Sequence, residues 1–276
     1  MYIRPKTLDE ALAVLGTEGG QVLSGGTDFY PALVDRLPTG RVVDVSALEE
    51  LRGISQDARY TRIGGLTTWT DVIAARLPRS FDGLKSAARE VGSVQIQNRG
   101  TVAGNLCNAS PAADGVPPLL ALDAEVELTS SSGTRRLPLA EFVIGNRRTL
   151  RRTDELLTAV LVPRHLDDAR SSFLKLGARR YLVISISMVA AVVRVDDGRL
   201  AEAHIAVGSC SVTARRLHGL EGDLRGTPVA DLKGRETPAH LGLLSPIDDV
   251  RASAQYRQGA SLTLVQRALR ACVGGD

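Results

Sequence analysis

Two loops rich in glycine and hydroxyl side chains carry the residues of this sequence best suited to hold a ligand. The first runs from Ser24 through Gly25, Gly26 and Thr27 to Asp28, after a short apolar run at 21–23. Glycines let backbone N–H groups approach a phosphate closely, and the start of a following helix adds a favourable dipole. Because the loop matches neither G-x-G-x-x-G nor the P-loop pattern, it fits a phosphate site and an ordinary strand-to-helix turn about equally well.

The second loop is the 14-residue stretch from Thr101 to Asp114, which includes Gly104, Asn105 and Ser110. It concentrates hydroxyls, amides and a carboxylate, and it ends a longer stretch, 95–114, for which we predict no regular structure. Buried loops of this kind are costly unless their polar groups have partners. A hydroxyl-rich cofactor would supply those partners, so this loop favours a bound dinucleotide over a surface loop.

The cysteines and histidines show no spacing typical of a metal, cluster or disulfide site. These residues are Cys107, Cys210, Cys272, His165, His204, His218 and His240. If the protein does redox chemistry, its redox centre must therefore be an organic cofactor. We assign no catalytic side chain and no metal ligand.

Composition excludes several function classes. The net charge is +3 over 276 residues and only 4% of residues are aromatic, which disfavours nucleic-acid binding. The N-terminus lacks the apolar segment of a secretory signal, and no apolar run is long enough to span a bilayer. We therefore expect a cytoplasmic protein without a membrane span.

Periodicity and turn signals predict an α+β protein in three pieces, over 1–55, 56–168 and 169–276. A capping box, Thr7 to Glu10, predicts a helix over 7–17. Further helices are predicted over 29–37, 67–77, 81–91 and 117–122, with helical patches at 229–234 and 247–270. Strands are predicted over 21–23, 41–45, 60–63, 124–129 and 156–162. In the last piece we predict three strands, 173–176, 186–194 and 200–207, the last two joined by an Asp-Asp-Gly turn.

The order of several motifs resembles the FAD-binding medium subunits of the molybdenum hydroxylases, the family of xanthine dehydrogenase and carbon monoxide dehydrogenase. The resemblance covers nearly the whole chain. It rests on the segments 5–11, 25–28, 96–105, 109–114, 145–149, 154–157, Pro163 and 173–175.

The resemblance implies roles for matching residues around one FAD. Val22, Leu23 and the first glycine loop would hold its phosphates. Thr101, Gly104 and Asn105, with Ser110 nearby, would form a second cradle, and Asp114 would accept hydrogen bonds from the cofactor. Leu157 would place its backbone near the isoalloxazine. Lys175 would lie near the flavin, although apart from the resemblance a solvated strand position is the favoured interpretation of this lysine.

The resemblance also implies a fold and a function. The first two pieces would form a vanillyl-alcohol-oxidase-like (PCMH-type) FAD-binding fold, and the third a domain with a three-stranded antiparallel sheet and helices. The chain would relay electrons from the [2Fe-2S] clusters of a small subunit to NAD or another acceptor. A large molybdopterin-binding subunit would complete a heterotrimer, commonly dimerised.

Two segments of the chain have no settled interpretation, and two functions other than electron relay remain open. Tyr181 lies in a segment where many relatives carry an acidic residue, and the basic segment 147–152 suits either an acidic partner or a solvated face. The chain could also be a stand-alone PCMH-type flavin oxidoreductase with non-covalent FAD, or a non-catalytic nucleotide-binding subunit.

Overall fold

The computed structural model describes residues 1–274, and its first sheet is small and parallel. Its strands are β1 (Tyr2–Ile3), β2 (Gln21–Leu23) and β3 (Val42–Asp44), in the order β1-β3-β2. Helix α1 (Leu8–Glu18) links β1 to β2, and helix α2 (Phe29–Leu33) lies between β2 and β3. The first glycine loop therefore joins β2 to α2, as predicted.

The predicted capping box of α1 forms only in part. The Thr7 hydroxyl accepts a hydrogen bond from the Glu10 backbone N–H at 3.2 Å. The Glu10 carboxylate accepts from the N–H of Lys6 at 2.8 Å rather than from that of Thr7. The helix still begins where the box predicts, because the Thr7 hydroxyl satisfies one of the free N–H groups of the first turn.

Helix α2 is shorter than the predicted span of 29–37. It ends after Leu33, and Val34 follows with a φ of 53°. Val34 and Leu37 are strongly exposed, so residues beyond the first turn bury no apolar face that would stabilise a longer helix.

The second sheet is antiparallel and has five strands in the order β4-β5-β10-β6-β7. Its strands are β4 (Ile54–Gln56), β5 (Tyr60–Gly64), β6 (Glu125–Ser130), β7 (Gly133–Pro138) and β10 (Leu156–Pro163). Between them lie α3 (Trp69–Ala74), α4 (Asp82–Glu90), α5 (Val94–Gln97), α6 (Val102–Asn108), α7 (Val116–Ala121), α8 (Leu139–Phe142) and the hairpin of β8 (Val143–Gly145) and β9 (Arg148–Thr149).

The prediction that residues 95–114 lack regular structure is wrong. They contain most of α5 and all of α6. The hydroxyl of Thr101 accepts from the N–H of Gly104 at 3.0 Å and so caps α6, which buries Val102, Ala103 and Leu106. Glycine and asparagine have poor helix propensities, so the sequence of this seven-residue helix shows no clear helical pattern. Burial of its apolar side chains, rather than propensity, stabilises the helix.

The third sheet is antiparallel, with four strands rather than the predicted three. Strands β11 (Arg170–Leu176), β12 (Ser187–Asp196) and β13 (Arg199–Gly208) are followed by a two-residue edge strand, β14 (Arg215–Arg216). Strand β14 is too short to show an alternation in sequence. Helices α9 (His218–Leu224) and α10 (Ala254–Val273) complete this part of the chain.

Strand β12 connects the two larger cores because both of its faces are buried. Met188, Ala190 and Val192 pack into the cluster formed by the second sheet and its helices. Val189 and Ala191 point the other way, into a cluster that includes the buried face of α10. The second and third sheets are therefore packed through a common strand, while the predicted domain limits stay a prediction.

A smaller cluster joins α1 and β3 to Leu66 and Leu156 of the second unit. Within residues 1–274, no helix is both long and apolar enough to cross a bilayer.

The packing of α7 predicts a measurable cavity effect. Leu119 is fully buried, and α7 contacts both β12 and β13. We expect Leu119→Ala to lower the free energy of unfolding by about 2–5 kcal/mol, because it removes apolar contacts and leaves a void. Urea denaturation measures the change. Leu243→Ala, at an exposed leucine, is the control. Equal losses for both variants would contradict this packing.

The ion pair of Glu155 predicts a specific loss of stability in acid. Its carboxylate accepts from the Arg135 guanidinium at 2.5 and 2.9 Å and from the Arg152 backbone N–H at 2.7 Å. Burial alone would raise the pKa of Glu155, but these donors outweigh it and lower the pKa. The stabilisation is therefore present above the unfolded pKa of about 4.3 and is lost as pH falls through the folded pKa.

We expect Glu155→Gln to cost about 1–3 kcal/mol at pH 7 and to flatten the acid limb of a plot of stability against pH. Urea midpoints between pH 3 and pH 7 (about the titration range of a carboxyl) test this. Glu49→Gln, at an exposed carboxylate, serves as the control. If the stability of Glu155→Gln fell with decreasing pH as steeply as that of the wild type, the ion pair of Glu155 would not be a source of the acid dependence.

Candidate functional site

A large cavity lies where the two predicted glycine-rich segments meet. It encloses about 980 Å³ and is lined by the first glycine loop, helix α6, the hairpin of β8 and β9, and the start of β10. This volume is near the upper end of the range of about 300–1,000 Å³ typical of small-molecule and cofactor sites. The cavity is therefore large enough for a substantial ligand.

The first glycine loop requires glycine for two different reasons. A Cβ on Gly25 would collide with the backbone carbonyl of Arg99 and would lie 3.0 Å from the Cα of Gly100. Gly26 has a φ of +77°, a conformation that favours glycine. Glycine at position 25 lets the loop approach the backbone of Arg99 and Gly100 closely. Glycine at position 26 lets the chain turn into α2.

A pair of hydroxyls joins the two segments. The Ser24 and Thr101 hydroxyl oxygens lie 3.3 Å apart. Gly104 sits above this contact, and a Cβ there would lie 2.8 Å from the Thr101 hydroxyl and 3.3 Å from that of Ser24. The absence of a side chain at Gly104 thus keeps both the cap of α6 and the junction of the two segments intact.

Asn105 carries an unsatisfied polar atom next to the cavity wall. The residue is one of those that line the cavity, and its Oδ1 is buried without a hydrogen-bond partner among residues 1–274. Buried acceptors are rarely left unpaired in folded proteins. This oxygen is closed to water and lies beside Gly115, where an added Cβ would come within 2.9 Å of it. The hydroxyls and closely packed glycines of the wall are the features that suit it to a hydroxyl-rich, phosphate-bearing molecule such as FAD.

The structure places the predicted site residues in two groups. Ten of them line the cavity: Val22, Ser24, Gly25, Gly26, Thr27, Asp28, Thr101, Gly104, Asn105 and Leu157. The remaining four lie elsewhere: Leu23 is in the core beneath the loop, while Ser110, Asp114 and Lys175 follow α6 or lie on β11. Their predicted roles stay predictions.

Asp114 and Lys175 do not line the cavity and pair with each other. The Lys175 ammonium donates to Asp114 Oδ2 at 2.7 Å, and the Ser185 hydroxyl donates to Oδ1 at 3.0 Å. Both members of the pair are buried. Burial raises the pKa of Asp114, and the attraction of the Lys175 ammonium opposes this shift.

Sequence reasoning missed the arginines at the rim of the cavity. Arg147, Arg148 and Arg151 all contribute to its lining. Arg147 donates to Asn108 Oδ1 at 2.6 Å, and Arg151 donates to the backbone carbonyl of Glu155 at 2.7 Å. The basic composition of 147–152 is visible in sequence, but its position depends on the β8–β9 hairpin folding back onto α6.

Cys107 and Trp69 also line the cavity and were not predicted to. Burial raises the pKa of the Cys107 thiol to about 11, so the side chain is a neutral thiol at neutral pH. Among the described residues, no group of histidine, cysteine and acidic side chains is arranged to hold a metal ion.

Two families together match almost the whole chain. Residues 1–165 match the family described as the FAD-binding domain in molybdopterin dehydrogenase. Residues 172–272 match the CO dehydrogenase flavoprotein C-terminal domain.

Named relatives agree with these matches. The chain is 38% identical over 204 residues to the nicotinate dehydrogenase FAD-subunit of Eubacterium barkeri, covering 71% of this chain and 69% of the relative. It is 31% identical over 279 residues to the putative xanthine dehydrogenase FAD-binding subunit XdhB of Escherichia coli K12, covering 99% and 95%.

The fold also matches a solved structure. A chain of carbon monoxide dehydrogenase from Hydrogenophaga pseudoflava superposes with a TM-score of 0.91 at 27% identity, covering 98% of this chain and 96% of that one. With the cavity geometry, these similarities establish that the chain is an FAD-binding oxidoreductase subunit that belongs to the medium-subunit family of the molybdenum hydroxylases.

Proposed function

We propose that this chain relays electrons, receiving them from [2Fe-2S] clusters of a partner subunit and passing them through FAD to NAD or another acceptor. The observation that carries the proposal is the large cavity between the two joined glycine segments, whose glycines at 25 and 104 leave no room for a side chain. When bound, FAD supplies the ability to exchange electrons both singly and in pairs. The chain's own residues hold and orient it.

The first glycine loop would hold the diphosphate. Its backbone N–H groups and the Thr27 hydroxyl lie at the cavity, where Gly25 and Gly26 keep the backbone accessible. Gly104 and Asn105 would contact the hydroxyl-bearing part of the cofactor, while the Thr101 hydroxyl preserves the start of α6. Leu157, at the start of β10, would place its backbone beside the ring system.

The rim arginines would add positive charge at the cavity mouth. Reduced flavin develops negative charge, and cations nearby stabilise such charge in a site shielded from water. The buried Lys175 also carries an ammonium, but Asp114 compensates its charge. In this proposal Arg147 and Arg151 contribute more of the field at the cavity than Lys175 does.

Names printed for relatives support a multisubunit assembly. One relative is the medium chain of a carbon monoxide dehydrogenase, and another is subunit alpha of a 6-hydroxypseudooxynicotine dehydrogenase complex. By analogy, the chain would assemble in the cytoplasm with a large molybdopterin-binding subunit and a small [2Fe-2S] subunit, as a dimer of heterotrimers. Residues 1–165 would adopt the PCMH-type arrangement.

The relay proposal predicts a particular order of reduction in the assembled complex. We expect the complex purified through this chain to contain cluster-bearing and molybdenum-bearing chains, and its substrate to reduce both the clusters and FAD. Stopped-flow absorbance measures both signals. Removal of FAD should leave cluster reduction intact and abolish transfer to the acceptor. Purification of an active flavoprotein without partner chains would instead favour a stand-alone oxidoreductase.

The glycine junction predicts a selective loss of cofactor. We expect Gly104→Val to lower FAD affinity by at least about tenfold, because the new side chain displaces the Thr101 hydroxyl and enters the cavity wall. Flavin absorbance retained after gel filtration measures the effect. Gly222→Val, in α9 where nothing lies within 4 Å of the added Cβ, is the matched control. Unchanged flavin content in the Gly104 variant, with both variants folded, would exclude this cavity as the FAD site.

A further inference from the structure

The segment that follows α6 is held in place by residues of the C-terminal sheet. We call residues 109–114 the exit segment. Asp114 accepts hydrogen bonds from Lys175 and Ser185, as described above. In addition, the backbone N–H of Ser209 donates to the carbonyl of Pro111 at 3.1 Å. Two loops of the C-terminal unit, around Ser185 and Ser209, therefore hydrogen-bond to the exit segment, which follows directly from α6 in the cavity wall.

A single buried guanidinium hydrogen-bonds to both the Ser185 loop and the Ser209 loop. Arg257 of α10 donates through Nη1 to the carbonyl of Ile186 at 2.6 Å and to that of Ser209 at 3.2 Å. Its Nη2 donates to Asp249 Oδ1 at 2.6 Å. The residue is only 3% exposed. The same side chain thus fixes the residue after Ser185 and Ser209 itself.

The surroundings of Arg257 make this arrangement rigid. The Ser261 hydroxyl donates to the Arg257 carbonyl at 2.7 Å and lies 2.8 Å from the Ser187 hydroxyl, which ties α10 to β12. The Arg251 backbone N–H and the Arg257 guanidinium hold the pKa of Asp249 well below its usual range, so the counter-ion stays charged. Removing one member of such a buried pair is costly because the other is left uncompensated.

We infer that Arg257 is a positioning residue for FAD: by fixing the Ser185 and Ser209 loops against the exit segment, it holds α6 and Asn105 in the geometry that binds the cofactor. The inference rests on the proposed FAD site at α6. Linkage then requires the reverse effect, so FAD binding must stabilise the two loops by the same free energy that the loops contribute to FAD binding.

Affinity measurements on the full chain test the first half of this inference. We expect Arg257→Met to weaken FAD binding about tenfold, measured by titrating FAD into apoprotein and following flavin fluorescence. Arg257→Lys should fall between the Met variant and wild type, because an ammonium lacks the planar fork that joins two carbonyls and a carboxylate. Arg267→Met, at an exposed position of the same helix, should bind as wild type does.

Asp249→Asn provides a second variant should Arg257→Met fail to fold. It keeps the guanidinium but removes the charge that orients it, and we expect FAD affinity to fall severalfold. Wild-type affinity in a folded Arg257→Met or Asp249→Asn variant would overturn the inference.

Hydrogen exchange tests the reverse effect without any mutation. We expect FAD to slow exchange of the backbone N–H groups of Ile186 and Ser209 in the wild-type chain, and to do so less in Arg257→Met. A merely structural role for Arg257 would not make these groups respond to FAD. Protection by FAD at 24–28 without protection at Ile186 and Ser209 would overturn the inference. Absence of protection at 24–28 would instead count against the proposed FAD site.

Discussion

The cavity depends on the contact between two backbone segments that lie more than 70 residues apart. Gly25 packs directly against the backbone at Arg99 and Gly100, so closely that any side chain there would force the segments apart. The hydroxyls of Ser24 and Thr101 meet beside this contact. One wall of the cavity comes from the small parallel sheet and the other from α6, so neither wall forms a site without the other.

The rest of the fold supports that contact from behind. Helix α7 packs between the second and third sheets, strand β12 of the third sheet contributes to the same core, and α10 covers the far side of the third sheet. Since one face of β12 completes the core formed with the second sheet, the C-terminal unit cannot move away without exposing that core. The FAD-binding family match at 1–165 and the flavoprotein C-terminal match at 172–272 are thus parts of one packed structure.

Much of this arrangement was predictable from sequence because its signals are local. The Thr7 cap, the Asp197-Gly198 turn and the strand before Gly25 are all specified by neighbouring residues. Helix α6 was not predictable, because its glycine and asparagine hide a helix that burial stabilises. The rim arginines and the pairing of Asp114 with Lys175 depend on contacts between distant residues, which one sequence does not display. Motif resemblance correctly indicated FAD and the family. It placed Asp114 and Lys175 beside the cofactor, which stays a prediction, but did not indicate that they pair with each other or that the arginines line the cavity.

Cys107 has a consequence for the durability of the site. Peroxide attacks the thiolate form of cysteine, and oxidation beyond sulfenic acid is largely irreversible. Cys107 is partly exposed in the cavity wall. Because burial raises the pKa of its thiol to about 11, Cys107 is protonated at neutral pH and reacts slowly with peroxide. Of the two forms of cysteine, the wall thus carries the one less prone to oxidation.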